Sequence, residues 1–451
     1  MIGRDSVSTS LAGPTISDFT KSRELRARVH DLIPGGCHTY AKGDDQYPEL
    51  APAFIVRGQG CHVWDVDDNE YIEYGMGCRA VTLGHAYPPV VKAAQEAMLR
   101  GANFTRPALV EFECAEKLLS MIEGAEMVKF AKDGSSATTA ALKLARAHTG
   151  RDYVAYCSDH PFFATNDWFI GTTPVDAGIP QAFKDLTLTF RYNDVDSVRE
   201  LFDGYPNQIA ALILEPAKYE DPEDDYLHKV RDLCHANGAV FILDEMITGF
   251  RWHNGGAQKY YNITPDLSAF GKALGNGFSV SALAGKRELM ELGGLFHDKE
   301  RVFLLSTTHG AETHALAAAI AVMDVYQNEP VIERINEQGE KLQTGANQVI
   351  ERHGLSDYVQ VLGRPCNLVF ATCDQQKRRS QAFRALFMQE IIKRGVLGPS
   401  FVISYSHTDE DVEKTVQAVD GAMRLYGRAL EDGVEDYLVG RPTNVVYRRY
   451  N

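Results

Sequence analysis

No apolar run in the 451-residue chain approaches the roughly 20 residues that a membrane helix needs; Ala315–Met323, the most apolar stretch, is far too short. The opening segment, MIGRDSVSTSLAGPTISDF, has no apolar core of leader-peptide length. The eight cysteines, at 37, 61, 78, 114, 157, 234, 366 and 373, include no CxxC pair. A disulfide framework and a zinc ribbon are therefore not expected, and no metal site is assigned. Positive charge is in deficit, with 46 Lys and Arg against 61 Asp and Glu and a net charge of −15. Such a surface repels nucleic acid and anionic bilayers, so neither is expected as a partner. Internal repeats and low-complexity tracts are absent too, as are the GxGxxG and GxxxxGK[ST] fingerprints of dinucleotide and P-loop sites. These absences leave an ordinary globular chain, expected in the cytoplasm.

What is present is a change of pattern along the chain. Hydrophobic residues make up 44% and charged residues 24%, enough for a sizeable core. The length suggests two to three domains, or one large α/β domain with a smaller companion. A polar arm and a helix at Arg23–Leu32 precede Cys61–Tyr74, whose alternation around Asp67-Asp68-Asn69 predicts a hairpin. From about Pro88 to Tyr326, short apolar runs alternate with amphipathic helices. Met127–Ala131, Tyr153–Cys157, Ile209–Leu214, Ala239–Leu243 and Leu267–Phe270 are the predicted strands, and 136–148, 224–236 and 313–326 the predicted helices. All-apolar strands in that alternation predict a buried parallel sheet. Beyond Tyr326, helices over 329–353 and 381–394 and strands at 359–362 and 368–371 predict a separate α+β unit. Thr408 before three acids predicts another helix start. The division expected is 1–75 as an arm and hairpin packing with the small domain, 76–326 as the large domain and 327–451 as the small one.

Parallel α/β sheets bind ligands at the carboxyl ends of their strands, so the residues after each apolar run are the ones to read. Ala239–Leu243 runs into Asp244-Glu245, and Ile209–Leu214 into Glu215. A single such acid is more often a cap or a salt bridge than a functional group. Met127–Ala131 runs into Lys132-Asp133-Gly134-Ser135-Ser136 and then a helix, a turn that suits a phosphate but is also common in αβ loops. Leu267–Phe270 runs into Gly271-Lys272. A lone lysine is usually solvated, but a partly desolvated one loses pKa and becomes a nucleophilic amine. Together, a phosphate cradle, an acid for a pyridinium N–H and an amine are the groups that pyridoxal phosphate requires.

At this point the chain resembles the class III pyridoxal-phosphate aminotransferases, in the branch around glutamate-1-semialdehyde 2,1-aminomutase, over roughly residues 30–425. FILDEMITGFR at 241–251 and PDLSAFGKALGNG at 265–277 resemble the family's LIFDEVxTGFR and PDLxxxGKxxGGG. DGSSATTAALKLAR at 133–146 and TLGHAYPPVV at 82–91 resemble SGTEAxxxAxRLAR and GHAHPxVV. The resemblance implies an α/β, fold-type I PLP-dependent transferase with a mostly parallel sheet flanked by helices plus a smaller α+β domain. It implies that Lys272 holds the cofactor pyridoxal 5′-phosphate, that Asp244 faces its ring nitrogen and that Gly134 and Ser135 cradle its phosphate. Thr308, in STTHGAETHALAAA at 306–319, would reach the phosphate of a second subunit, which implies a homodimer with shared active sites. Phe162 falls where the family stacks a tyrosine on the ring; an ordinary core phenylalanine is the equal alternative.

The substrate half departs from the aminomutase pattern. Lys42, in HTYAKGDDQYPE, stands where the family has a carboxylate-gripping arginine, and lysine lacks the bidentate fork. The family's SWGP becomes Gly77-Cys78-Arg79-Ala80, and its GNPL becomes Ala311-Glu312-Thr313-His314. Lys42, Arg79 and Glu312 are accordingly assigned to the substrate side. Arg79 as a surface arginine paired with an acid is an even alternative. The expected activity is transfer of an amino group from an amino-acid donor to a carbonyl acceptor such as a keto sugar, a cyclitol or a related intermediate. An aminomutase outcome, an isomerisation, is the first alternative, and a catalytically idle binding relative of the fold is the second.

Overall fold

The computed structural model describes residues 15–160 and 164–450. Thirteen strands follow in chain order: β1 Ile55–Gln59, β2 His62–Asp65, β3 Glu70–Glu73, β4 Met127–Ala131, β5 Tyr153–Cys157, β6 Thr187–Phe190, β7 Ile209–Leu214, β8 Val240–Asp244, β9 Leu267–Phe270, β10 Ser281–Gly285, β11 Val359–Leu362, β12 Val369–Thr372 and β13 Val396–Leu397, as the strands of the described residues. Seven form one sheet in the order β4-β10-β9-β8-β7-β5-β6. β7 and β8 are buried along their whole length, as their continuous apolar sequences require. The sheet is covered on both faces. Ile213, Ile242 and Ala269 pack under the helix Gly134–Thr149, and Leu212, Phe241 and Leu243 pack under Tyr226–Ala236.

The sheet is parallel except at β10, which runs antiparallel to both β4 and β9. The sequence pattern does not reveal β10, because SALAG is small and short rather than β-branched. The antiparallel direction has a consequence for the site. A parallel return needs a crossover of a dozen or more residues, whereas β9 reaches β10 through the short loop that carries Lys272. β10 then begins beside the end of β4, with Ser281 paired to Ala131. The ends of β4, β8 and β9 are thereby gathered at one edge of the sheet. β6, TLTF, also lies outside the sequence prediction.

A second sheet, β1-β2-β3-β13, joins distant parts of the chain, since β13 pairs parallel with β3. The 55–73 segment therefore shares a sheet with residues 396 and 397, packed with the helices Val331–Arg352, Gln381–Ile392 and Asp409–Asp432. β2 and β3 form the hairpin expected around Asp67, whose carboxylate accepts from the Lys21 and Ser22 N–H groups at 2.6 and 2.9 Å and so ties the N-terminal helix down. No helix among the described residues is long and apolar enough to cross a membrane.

Candidate active site

The site is built at the carboxyl ends of the parallel strands. Asp244 is the last residue of β8 and is buried. One carboxylate oxygen, Oδ1, accepts from the Met246 N–H at 2.9 Å, while Oδ2 receives no donor among the described residues. Lys272 follows β9 and holds a left-handed backbone, φ +46°. Such a conformation is strained for a lysine and persists where the surroundings impose it. Burial lowers the Lys272 pKa, and the negative charges of Asp244 and Glu215 oppose that shift. Burial, followed by the charge of Glu215, raises Asp244; the Lys272 ammonium and the Met246 N–H pull it back. Glu215, just beyond β7, pairs through Oε1 with Lys218 at 3.3 Å, and its buried Oε2 has no partner. Two acids and a desolvated amine thus face one space.

The segment between β4 and the helix Gly134–Thr149 forms the second wall. Asp133 caps that helix by accepting from the Ser136 N–H at 2.8 Å, which leaves the N–H groups of Gly134 and Ser135 open at the positive end of the dipole. The Ser281 hydroxyl donates to the Asp133 carbonyl and the Ser279 hydroxyl to the Lys132 carbonyl, both at 2.7 Å, so the Lys272 loop and the helix start are held together. Ser135 is buried and its Oγ accepts from the Thr165 N–H at 3.0 Å. A Cβ on Gly134 would sit 3.0 Å from Met246 Sδ, so a larger residue there requires the Met246 side chain to shift. A third junction joins the 82–91 segment to the loop. Asn276 Nδ2 donates to the Gly84 carbonyl at 3.0 Å, and Asn276 Oδ1 accepts from the Leu83 N–H at 2.9 Å.

Residues fit the implied cofactor on three counts. An open Asp244 oxygen is available to a ring N–H, open helix N–H groups to a phosphate, and a desolvated lysine amine to an aldehyde carbon.

Arg79 is also brought to this space. It closes a run of four residues, Met76, Gly77, Cys78 and Arg79, with φ of 40°, 57°, 59° and 70°. Its Nε donates to Asn367 Oδ1 at 2.8 Å and its Nη2 to Ser400 Oγ at 3.4 Å. No carboxylate pairs with it among the described residues, contrary to the surface-pair alternative. Lys42 is exposed on a neighbouring turn; burial raises the Cys78 thiol pKa, and the Lys42 charge opposes that shift. Glu312 pairs with Lys132 and lies 3.6 Å from His309 Nδ1, placing it beside the helix-start wall. Thr308 is exposed, and its carbonyl accepts from Asn103 Nδ2 at 3.0 Å. Phe162 lies outside the described residues.

Several residues at the site escape sequence reasoning. His160 is buried against Tyr192, ring centroids 4.1 Å apart, and burial lowers its pKa. The fully buried Arg251 donates from Nη2 to the Arg79 carbonyl at 2.7 Å and to Thr82 Oγ1 at 2.9 Å, fixing the Arg79 turn. Asn367 and Arg384 come from the C-terminal part and carry no motif. Only the pairing of β13 with β3, which folds that part back onto residues 70–79, could have pointed to them.

Residues 42–422 match the family model of the class-III aminotransferases. The chain belongs to this family. Among curated relatives, the glutamate-1-semialdehyde 2,1-aminomutase of Alkaliphilus oremlandii is 34% identical over 421 residues, covering 89% of this chain and 98% of the relative. That of Syntrophomonas wolfei is 34% identical over 429 residues, covering 90% and 98%. Among solved structures, the PLP-bound FumI protein of Sphingopyxis sp. MTA144 superposes with a TM-score of 0.84 at 26% identity, over 94% of this chain and 99% of that one. An omega-transaminase from Sphaerobacter thermophilus gives 0.79 at 25% identity, over 91% and 97%. This class III aminotransferase therefore has the α/β architecture of its family, and its mostly parallel seven-stranded sheet is the one the resemblance implied.

Proposed function

We propose that this class III aminotransferase, acting with pyridoxal 5′-phosphate, moves an amino group from an amino-acid donor to a carbonyl acceptor. The observation that carries the reading is the desolvated Lys272 amine set on the same edge as an Asp244 carboxylate with one free oxygen. When bound, the cofactor supplies the electron sink for the reaction. Lys272 holds the cofactor and then carries a proton at the substrate carbon. Its lowered pKa supports both tasks, because only the neutral amine attacks a carbon or takes a proton. Asp244 accepts the ring N–H and keeps that nitrogen charged. The open N–H groups of Gly134 and Ser135 hold the phosphate, and Thr308, exposed on one chain, serves the phosphate of a second copy in a cytoplasmic homodimer. On the substrate side stand Arg79 and Lys42, with Glu312 acting through Lys132.

A second reading, the aminomutase, is favoured by the curated relatives that bear that name. Against it stand Lys42 in place of an arginine and the arginine at 79. The two are separated by supplying glutamate 1-semialdehyde with no amino donor and measuring 5-aminolevulinate. The transferase reading expects slow conversion, together with stoichiometric amination of other carbonyl compounds by the pyridoxamine form. Efficient turnover of the semialdehyde would restore the aminomutase.

A further inference from the structure

Beyond residue 422, where the match to the family model ends, the chain runs past the helix Asp409–Asp432 into residues 438–450, which form neither helix nor strand. Such tails stay loose unless specific contacts hold them. This one is held at three places. First, the buried Gln389 of the helix Gln381–Ile392 spans a bend: its Nε2 donates to the Tyr437 carbonyl at 3.0 Å, and its Oε1 accepts from the Val439 N–H at 2.9 Å. The chain then turns at Gly440, φ +78°, where a Cβ would sit 2.7 Å from Glu49 Cβ, and the buried Thr443 hydroxyl donates to Gln381 Oε1 at 3.0 Å. Second, the tail crosses the 40–47 turn. The Asn444 N–H donates to the Asp45 carbonyl at 2.9 Å, Arg448 pairs with Asp45 at 2.7 Å, and Arg441 lies 3.5 Å from Asp44. Third, Tyr447 packs against the buried Phe169, ring centroids 6.4 Å apart. Phe169 is itself well fixed, since its neighbour Trp168 donates from Nε1 to Thr139 Oγ1 at 2.8 Å. The tail is therefore anchored at both ends on packed elements, with the 40–47 turn between them.

That turn has little of its own to hold it. It consists of two three-residue turns, Tyr40–Lys42 and Asp44–Gln46, whose backbone hydrogen bonds reach only three residues back. Among the described residues, the Asn444 bond is the one backbone link from this turn to a distant segment. The N-terminal helix reaches Asp44 through side chains alone, His30 at 3.3 Å and Arg26 at 3.9 Å. A segment with so few internal bonds opens easily unless another part of the chain covers it. The turn also borders the cofactor site. Burial raises the Cys78 thiol pKa, and the charges of Lys42, Arg79 and Lys272 oppose that rise, so the turn and the Lys272 amine face one residue.

We propose that residues 438–450 are a strap that positions the 40–47 turn, and Lys42 with it, at the substrate side of the active site, so that the strap sets substrate affinity and leaves cofactor binding alone. Arg441 and Arg448 are positioning residues, acting through Asp44 and Asp45. A turn that is in place only about a tenth of the time binds substrate about 10-fold more weakly, with the chemical step unchanged. This inference rests on the aminotransferase reading and adds to it an element beyond the span that matches the family.

The test compares the full-chain holoenzyme with a chain ending at Tyr437 and with the double variant Arg441→Ala, Arg448→Ala. Hydrogen exchange read by mass spectrometry should rise at least about 10-fold over 40–47 in both and stay unchanged in β7 and β8. In single-turnover deamination of L-glutamate or L-alanine, the half-saturating concentration should rise about 10-fold, with the limiting rate within about 2-fold. Cofactor titration followed by absorbance should not move. Arg448→Lys, which keeps the charge, should fall between wild type and the double variant. Unchanged exchange over 40–47 overturns the strap, and raised exchange with an unchanged half-saturating concentration overturns its link to substrate. If the shortened chain fails to fold, the double variant decides. If neither amino acid reacts in any form while exchange over 40–47 still rises, the aminotransferase reading falls and the strap's hold on the turn stands.

Discussion

Position 244 shows how one carboxylate is prepared for a single task. Its Oδ1 is occupied by the Met246 N–H, its Oδ2 is open, and burial raises its pKa, so that only a nearby cation keeps it ionised. A protonated ring nitrogen is such a cation. Asp244→Asn keeps the shape and the Met246 hydrogen bond but removes the charge. We expect the variant to bind the cofactor through Lys272 and to remain coloured, while turnover falls by several kcal/mol of barrier, on the order of 10²–10³-fold or more. Rapid-mixing measurement of donor deamination checks this, and near-normal single turnover would make Asp244 a structural residue. The placement of Lys272, Asp244 and the Gly134-Ser135 turn at strand ends was legible in the sequence, because each lies within a local motif. His160 and Arg384 were not, since a lone histidine or arginine has no local signature and acquires meaning only from its neighbours.

The helix Asp409–Asp432 illustrates the same division at the scale of an element. Its start was readable from Thr408 and the acids that follow, and the capping box is formed: Thr408 Oγ1 accepts from the Asp411 N–H at 3.2 Å, and an Asp411 oxygen accepts from the Thr408 N–H at 2.9 Å. What surrounds the cap was not readable. Asp411 also accepts from Cys61 Sγ at 3.3 Å and faces His62 Nε2 at 3.0 Å, while the buried His407 takes the Ser404 N–H on its Nδ1 at 3.0 Å. Burial brings His407 down to about 4, against the pull of Asp411, whereas the Asp411 hydrogen bond raises His62. The folded state therefore binds fewer protons than the unfolded one at His407 between pH about 4 and about 6.5, and stability at this residue is lost as pH falls through that window. His62 acts oppositely: its contribution is present below about 6.5 and is lost as pH rises through its raised folded pKa. His407→Asn, whose amide oxygen replaces the accepting nitrogen, should flatten the acid side of the melting-temperature profile relative to wild type. An equal drop in both proteins between pH 6.5 and 4 would show that His407 does not titrate on unfolding.

At the scale of the whole molecule, the described surface leaves an apolar region uncovered. Leu99 is 88% exposed, Leu109 70%, Phe112 59% and Phe104 54%. Phe104 and Leu109 line a groove of about 590 Å³ that continues along Ala317 and Ile320 of the helix Thr313–Asn328. Apolar surface of this kind marks an interaction site. It adjoins the 306–319 segment that holds Thr308, so the proposed second copy would cover the groove and complete the active site together. Leu99→Glu combined with Leu109→Glu should shift the mass seen by light scattering from dimer to monomer and abolish turnover. A wild-type monomer with full activity would overturn the shared site.

By itself the sequence determined the family, the strand–helix alternation and which residues follow the strand tips, because periodicity, caps and strand-end motifs are local and each reports its own surroundings. Only the tertiary structure decided the rest. The antiparallel β10, which gathers the ends of β4 and β9, comes from a segment too small in its side chains to announce a strand. The pairing of β13 with β3 carries Asn367, Ser400 and Arg384 to Arg79 across about 300 residues of chain, in a contact that loop closure permits but no local pattern encodes. Arg79 looked as much like a surface ion pair as a ligand in the sequence. Its meaning changed when the fold surrounded it with neutral partners and a second arginine.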